Sequence, residues 1–245
     1  MESLKDSSIS QVKGIPGLYI SDRFAACSRS LLASLNVGYV LSVTRTEDVP
    51  KFTEDRIAVK HIDIDDDPTE DILCHLDDAC DWIDAALHSS TLASEVDNFD
   101  SVWKHPRSGV VVHCTQGISR SSSFIIAYLM RTLTLSYDTA LSLARESRSL
   151  VTPNPGFERQ LRIWEECQYE VYTCEPATAS TPYLPPVEKP AYKVWKQQRD
   201  DLFCQRTEDV NKIRASTMAS MAAQFRKEGK RIVMGTMEWM KREEN

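Results

Sequence analysis

The chain has 245 residues, with 29 basic and 36 acidic side chains and a formal net charge of −7. The acidic balance argues against a dedicated nucleic-acid binder, and 42% hydrophobic residues are typical of a globular rather than a disordered chain. The longest uncharged apolar run, residues 124–130, is far shorter than the roughly 20 residues that span a bilayer. Seven cysteines without a CxxC pair indicate free thiols in a reducing compartment. We therefore expect an intracellular protein, cytoplasmic or nuclear, with no structural zinc site and no membrane contact.

Up to about residue 172, short β-branched runs alternate with helical patterns. Residues 39–43 and 110–112 are nearly continuously apolar, as in buried parallel strands, and residues 57–64 alternate as in a strand with one wetter face. Between these runs, apolar residues recur at helical spacing, namely Leu73, Leu76, Cys80, Ile83 and Leu87. The pattern predicts an α/β fold with a short, mostly parallel sheet and helices on both sides.

The composition changes after residue 172. Five prolines between residues 176 and 190 predict a linker over 173–190. Residues 191–245 contain five of the seven methionines and carry a net charge of +4, against −11 for the residues before them. Apolar residues at helical spacing predict a helical tail there, namely Val210, Ile213, Thr217, Met221 and Phe225. We thus predict a domain over 1–172, a linker over 173–190 and a helical tail over 191–245.

The loop at residues 113–121 reads His-Cys-Thr-Gln-Gly-Ile-Ser-Arg-Ser, directly after the strand at 110–112 and directly before an apolar helix. Backbone N–H groups and the helix dipole at such a position bind an anion, and they favour the thiolate form of a nearby cysteine. Cys114 is therefore the candidate nucleophile, and Gly117 permits the tight turn. The planar guanidinium of Arg120 is suited to holding two phosphate oxygens, and the hydroxyl of Ser121 is placed to hydrogen-bond the sulfur.

This segment, the phosphate loop, resembles the H-C-x-x-G-x-x-R-S signature of cysteine-dependent protein phosphatases, and the serine after the arginine is typical of the dual-specificity branch. The resemblance covers most of residues 15–172, including the runs at 16–20, 127–130 and 153–157. Within the branch, residues 67–73 and 156–161 are most similar to the atypical, zinc-tailed phosphatases associated with ribosome assembly. That subgroup carries a cysteine-rich zinc domain, which we do not expect here because Cys204 is the only cysteine in the last 70 residues.

The resemblance implies a cysteine-phosphatase fold and two-step hydrolysis of phosphotyrosine and phosphoserine or phosphothreonine through a cysteinyl-phosphate, with no metal or organic cofactor. It gives His113 a structural and electrostatic role, and it implies that Asn154 braces the phosphate loop. On the residues alone, Asn154 closes a Pro-Asn-Pro-Gly turn. The phosphate-binding residues implied are Thr115, Gln116, Gly117, Ile118, Ser119 and Arg120.

Departure of the leaving oxygen from phosphorus needs a proton donor. The acidic run at 63–67 comes at the end of the strand predicted over 57–64. It therefore lies at the carboxyl edge of the sheet, where the phosphate loop also lies. Aligning residues 82–84 with the family's aromatic-Ile-Asp motif places the acid on Asp66, with Asp65 and Asp67 as the alternatives. Otherwise the run is a solvated loop that caps the next helix.

We expect phosphoprotein substrates, because the neutral phosphate loop and the acidic first 190 residues suit a polyanionic lipid or RNA poorly. An alternative function is that of a ribosome-assembly factor, or another protein-binding factor, with incidental phosphatase activity. The Met-rich tail must bury its apolar stripe. It would either dock on the acidic domain or bind a protein or ribonucleoprotein partner.

Overall fold

The computed structural model describes residues 8–52, 57–92, 109–173 and 186–243. The chain divides into two compact units, Met1–Lys193 and Val194–Asn245. The first unit carries the sheet and the phosphate loop, and the second consists of the long C-terminal helix from Val194 onward.

The strands of the main sheet among the described residues are β1 (Ile9–Gln11), β2 (Leu18–Ser21), β3 (Val37–Val43), β4 (Ala58–Ile62) and β5 (Gly109–His113). Their order across the sheet is β1-β2-β5-β3-β4. β1 pairs antiparallel with β2, whereas the pairs β2–β5, β5–β3 and β3–β4 are parallel. The prediction of a mostly parallel α/β sheet is therefore confirmed.

The helices of the first unit are α1 (Arg23–Ala26), α2 (Arg29–Ser34), α3 (Leu73–Leu92), α4 (Arg120–Leu133), α5 (Tyr137–Ser147) and α6 (Pro155–Glu166). All five residues of β5 are buried. Val111 packs in a cluster with Ala26 of α1 and Leu32 of α2, and α3 and α4 also contact β5. Because neighbouring side chains on a strand point to opposite faces, a wholly buried β5 requires cover on both faces of the sheet.

The predicted strands at 39–43 and 110–112 are confirmed as parts of β3 and β5, and the predicted helix at 73–87 is part of α3. β4 is more exposed than its alternating pattern suggests, with Val59 38% exposed, because it lies at the edge of the sheet. The sequence did not indicate β1, β2, α1 or α2, whose three to six residues are too few for a periodicity.

The segment predicted as a linker carries short elements at both ends. β6 (Tyr172–Thr173) pairs antiparallel with β7 (Val187–Glu188), and α7 (Pro190–Glu243) follows. Proline is accepted as the first residue of a helix because its missing N–H would have no partner there. α7 confirms a helical C-terminal tail. Residues 174–185 of the predicted linker, and the long connection at 93–108, lie outside the described residues, and the predicted domain limits remain predictions.

Candidate active site

The phosphate loop leaves the carboxyl end of β5 and turns into the first turn of α4. Gly117 has φ +70°, and a Cβ there would lie 2.6 Å from the backbone oxygen of Ser21. Only glycine combines this backbone conformation with so close an approach. The loop is therefore seated against the end of β2.

The thiol of Cys114 lies at the base of the loop and is 2% exposed. Its Sγ accepts a hydrogen bond from the backbone N–H of Gly117 at 3.1 Å and one from the hydroxyl of Ser121 at 3.3 Å. Two hydrogen-bond donors are therefore aimed at one sulfur. The structure thus brings together the predicted nucleophile and the predicted sulfur ligand.

The guanidinium of Arg120 is held from two sides. Nη1 donates to the backbone oxygen of Ile64 at 3.1 Å, and Nη2 donates to Thr115 Oγ1 at 2.8 Å. Its buried Nε has no hydrogen-bond partner among the residues that the structure describes. A buried donor without a partner is costly, and an anion in the phosphate loop is suited to satisfy it. Thr115 therefore holds the guanidinium of Arg120 through its side-chain hydroxyl.

Three neighbouring carboxylates make different contacts. Asp66 Oδ1 accepts a hydrogen bond from Ser119 Oγ at 2.6 Å, so this carboxylate lies at the phosphate loop. Asp65 forms an ion pair with Arg45, and the hydrogen bond from that guanidinium lowers the pKa of Asp65. Asp67 Oδ1 accepts from the backbone N–H and the hydroxyl of Thr69. Of the three candidates, the geometry favours Asp66 as the acid.

Asn154 is the N-cap of α6, where its Oδ1 accepts from the backbone N–H of Phe157 at 2.9 Å. Its Nδ2 donates to Asp66 Oδ1 at 2.8 Å, and its backbone N–H donates to Ser119 Oγ at 3.0 Å. The residue therefore caps α6 and also contacts the phosphate loop and Asp66, and its bracing role stays a prediction.

His113 is fully buried. Its Nε2 lies 2.7 Å from Ser42 Oγ and its Nδ1 lies 3.3 Å from the backbone oxygen of Cys114. Because that carbonyl oxygen can only accept, neutral His113 carries its hydrogen on Nδ1 and accepts from Ser42. Burial lowers the pKa of His113 to about 4, so the ring stays neutral at physiological pH. This arrangement fits a structural role rather than one in proton transfer.

Two side chains that the sequence analysis did not assign to the site also contact its loops. Arg148, which follows α5, donates from Nε to the backbone oxygen of Gly117 at 3.0 Å and from Nη2 to that of Gln116 at 3.3 Å. Because Arg148 binds these two carbonyl oxygens, it favours a peptide orientation in which the N–H groups of the loop point to its centre. Gln160 of α6 donates to Glu70 O at 2.7 Å and accepts from the N–H of Ile72 at 2.9 Å. It fixes residues 65–72, which we name the acid loop.

A cavity of about 280 Å³ lies at the phosphate loop and is lined by Asp66, Cys114, Thr115, Gln116, Ile118, Ser119 and Arg120. A cleft of about 520 Å³ shares Asp66, Thr115 and Arg120 with it and is otherwise lined by Arg45, Glu47, Asp48, Asp65 and Asp67. Within the described ranges, no group of three His, Cys, Asp or Glu side chains is arranged to hold a metal ion. In the same part of the chain, no helix is long and apolar enough to cross a membrane.

The part of the chain that carries this site is similar to known proteins. Residues 18–167 match the family model described as dual specificity phosphatase, catalytic domain. Tyrosine-protein phosphatase YVH1 of Saccharomyces cerevisiae is 30% identical over 193 residues, which are 78% of this chain and 49% of that protein. Human dual specificity phosphatase 28 is 30% identical over 155 residues, which are 63% of this chain and 77% of that one.

A solved structure, the Yvh1 phosphatase domain from Chaetomium thermophilum, matches with a TM-score of 0.54 and 30% identity, over 66% of this chain and 99% of that chain. This chain spans about half the length of the yeast relative. The comparisons confirm the resemblance to dual-specificity phosphatases, whereas the assignment to a zinc-tailed subgroup stays a prediction. The family match includes the acid loop and the phosphate loop.

Proposed function

This chain belongs to the dual-specificity phosphatase family, and we propose that it hydrolyses phosphate monoesters on tyrosine, serine and threonine side chains of proteins. The observation that carries the proposal is one cavity that joins the thiol of Cys114, the guanidinium of Arg120 and the carboxyl of Asp66. These are the nucleophile, the anion ligand and the proton donor that transfer of a phosphoryl group to a thiol requires.

In the first step, the Cys114 thiolate attacks phosphorus in line with the leaving oxygen. The S–P bond forms while the P–O bond breaks, and protonated Asp66 gives its proton to the departing oxygen. Arg120 and the backbone N–H groups of residues 115–119 stabilise the negative charge on the equatorial oxygens. The products of this step are the free hydroxyl of the substrate side chain and a cysteinyl-phosphate.

In the second step, a water molecule attacks the phosphorus of the cysteinyl-phosphate, and the Asp66 carboxylate accepts a proton from it. The S–P bond breaks, inorganic phosphate is released, and the electron pair returns to sulfur. The departing thiolate is stabilised by the Ser121 hydroxyl at 3.3 Å and the Gly117 N–H at 3.1 Å. Asp66 is protonated again, ready for the next turnover.

The cleft beside the cavity supports phosphoproteins as substrates. Four carboxylates line it besides Asp66, against the guanidiniums of Arg45 and Arg120. Polyanions such as inositol lipids or RNA need a positive approach, which this surface does not offer. A single phosphate on a peptide bearing few other negative charges suits it better.

We also propose that α7 binds a protein or ribonucleoprotein partner. Its apolar side chains at Leu202, Phe203, Ile213 and Met218 are between 43% and 71% exposed, and residues 191–245 carry a net charge of +4. An exposed basic helix with apolar side chains suits an acidic partner surface. Among the described residues, the exposed thiols of Cys27 and Cys204 form no disulfide, which supports a location in the cytoplasm or nucleus, where thiols stay reduced.

The test is turnover of a small aryl phosphate by Cys114→Ser, with Cys27→Ser, which alters an exposed thiol, as the matched control. We expect Cys114→Ser to lose turnover and Cys27→Ser to retain it, because a hydroxyl is a poor nucleophile at neutral pH. Cys114→Ser should also retain phosphotyrosine and phosphothreonine proteins from a lysate, released by vanadate. Turnover by Cys114→Ser near that of the unaltered protein would refute the proposed function.

A further inference from the structure

Residues 189–193, between β7 and the end of the first unit, contact the end of α6 and the acid loop. The family match ends before them, at residue 167. Lys189 Nζ donates to the backbone oxygen of Cys167 at 2.7 Å, and its N–H donates to Val171 O at 2.8 Å. Tyr192 is 1% exposed, and its ring meets that of Tyr172 edge-on at 5.8 Å. This segment therefore completes the first unit.

Tyr192 reaches the acid loop. Its hydroxyl donates to Asp71 Oδ2 at 2.9 Å, and burial raises the pKa of Tyr192, so it remains a donor at physiological pH. The other oxygen of Asp71 accepts from the N–H of Cys74 at 3.3 Å, at the start of α3. Asp71 therefore joins the C-terminal end of the acid loop to two elements at once.

Besides Ser119 and Arg45, which bind Asp66 and Asp65, α6 and its N-cap also anchor the acid loop. Asn154 holds Asp66, and Gln160 holds both Glu70 and Ile72. A Cβ at Gly156 would lie 1.9 Å from the backbone oxygen of Pro68, so the loop lies directly against this helix. Tyr192 adds an anchor from an element that comes after the family domain.

We propose that Tyr192 is a positioning residue for the general acid: by binding Asp71 it holds the acid loop so that Asp66 stays at the phosphate loop. The inference rests on the proposed function, in which Asp66 protonates the leaving oxygen. A displacement of a catalytic group by a fraction of an ångström lowers the rate of its step. The consequence falls on proton donation and leaves phosphate binding unchanged.

The experiment is Tyr192→Phe in the full chain, which keeps the buried ring and removes the hydroxyl. We expect kcat/KM, which reports only the first step, to fall about tenfold on an alkyl phosphate, whose leaving group needs a proton. On an aryl phosphate with an acidic leaving group we expect little change in kcat/KM. Tyr169→Phe is the control, because its hydroxyl donates to Leu135 O at 3.1 Å, away from the acid loop.

Asp71→Asn provides a second route to the same contact and decides the matter if Tyr192→Phe does not fold. It should show the same selective loss, and the double variant should lose less than the product of the two single losses, because both act through one contact. An equal loss on both substrates, or no loss, overturns the proposal. Asp66→Asn in the unaltered background separates the cases: if it shows no selective loss, the assigned acid is wrong whatever Tyr192 does.

Discussion

The side-chain amide of Asn154 donates to Asp66 Oδ1 at 2.8 Å, while the backbone N–H of Asn154 donates to Ser119 Oγ at 3.0 Å. One residue at the start of α6 thus contacts both the acid loop and the phosphate loop. The capping bond from Phe157 N–H to Asn154 Oδ1 at 2.9 Å fixes which side of the amide faces Asp66. The N-cap of a helix therefore determines where the carboxylate lies relative to the phosphate loop.

Asn154→Ser should separate capping from acid positioning. Serine still accepts the hydrogen bond at the N-cap, but it removes the amide donor to Asp66. We expect kcat/KM on an alkyl phosphate to fall about tenfold, with a smaller fall on an aryl phosphate and a Tm within about 2 °C of the unaltered protein. If the kinetics on both substrates equal those of the unaltered protein, Asn154 only closes its turn.

Asp66→Asn should cost on the order of 10²-fold in rate on an alkyl phosphate, because it removes the proton donor. The loss should be smaller when the leaving group needs no proton. Asp65→Asn and Asp67→Asn are matched controls, since these carboxylates bind Arg45 and Thr69 instead. If either control shows the selective loss and Asp66→Asn does not, the acid is a neighbour of Asp66.

His113 should make the free energy of unfolding depend on pH. Its folded-state pKa of about 4 lies below the ordinary value of 6.5, so the unfolded chain binds the proton first as the pH falls. The stability contributed by neutral His113 is complete above pH 6.5 and is lost as the pH falls toward 4, by roughly 3 kcal/mol. Urea unfolding at pH 7 and pH 5 measures most of it, about 2 kcal/mol.

His113→Gln should reduce the loss of stability between pH 7 and pH 5 relative to that of the unaltered protein. The lower absolute stability expected for His113→Gln does not affect the comparison, because the readout is the difference between the two pH values. An undiminished pH dependence in His113→Gln would assign the effect to other groups.

Two truncations should separate the packed segment from the tail helix. A chain that ends at Lys193 keeps Tyr192, and if α7 serves a partner we expect it to keep its Tm and aryl phosphatase activity while losing captured partners. A chain that ends at residue 186 loses β7, Lys189 and Tyr192, and its Tm should fall by about 4 °C or more, because about 1–2 kcal/mol is lost. A similar fall of Tm in the chain that ends at Lys193 would mean that the tail stabilises the first unit.

The phosphate loop was predictable from the sequence because its parts are consecutive in the chain. The residues from His113 to Ser121 lie between a buried strand and a helix, and the geometry of such a loop is local. The strands at 39–43 and 110–112 were predictable for a related reason. Burial on both faces of a parallel sheet leaves a continuous apolar run.

On the residues alone, Asp66 is not distinguished from Asp65 and Asp67. The family resemblance points to Asp66, and the tertiary structure gives the three carboxylates different contacts. Three identical neighbours carry no local signal, and what separates them is contact with Arg45, Thr69 and Asn154. For the same reason, the sequence did not indicate the contacts that Arg148, Gln160 and Tyr192 make with these loops. A single polar side chain on a helix or loop has no pattern that predicts its partner, since the partner of Tyr192 lies 121 positions away and comes near only when the chain folds.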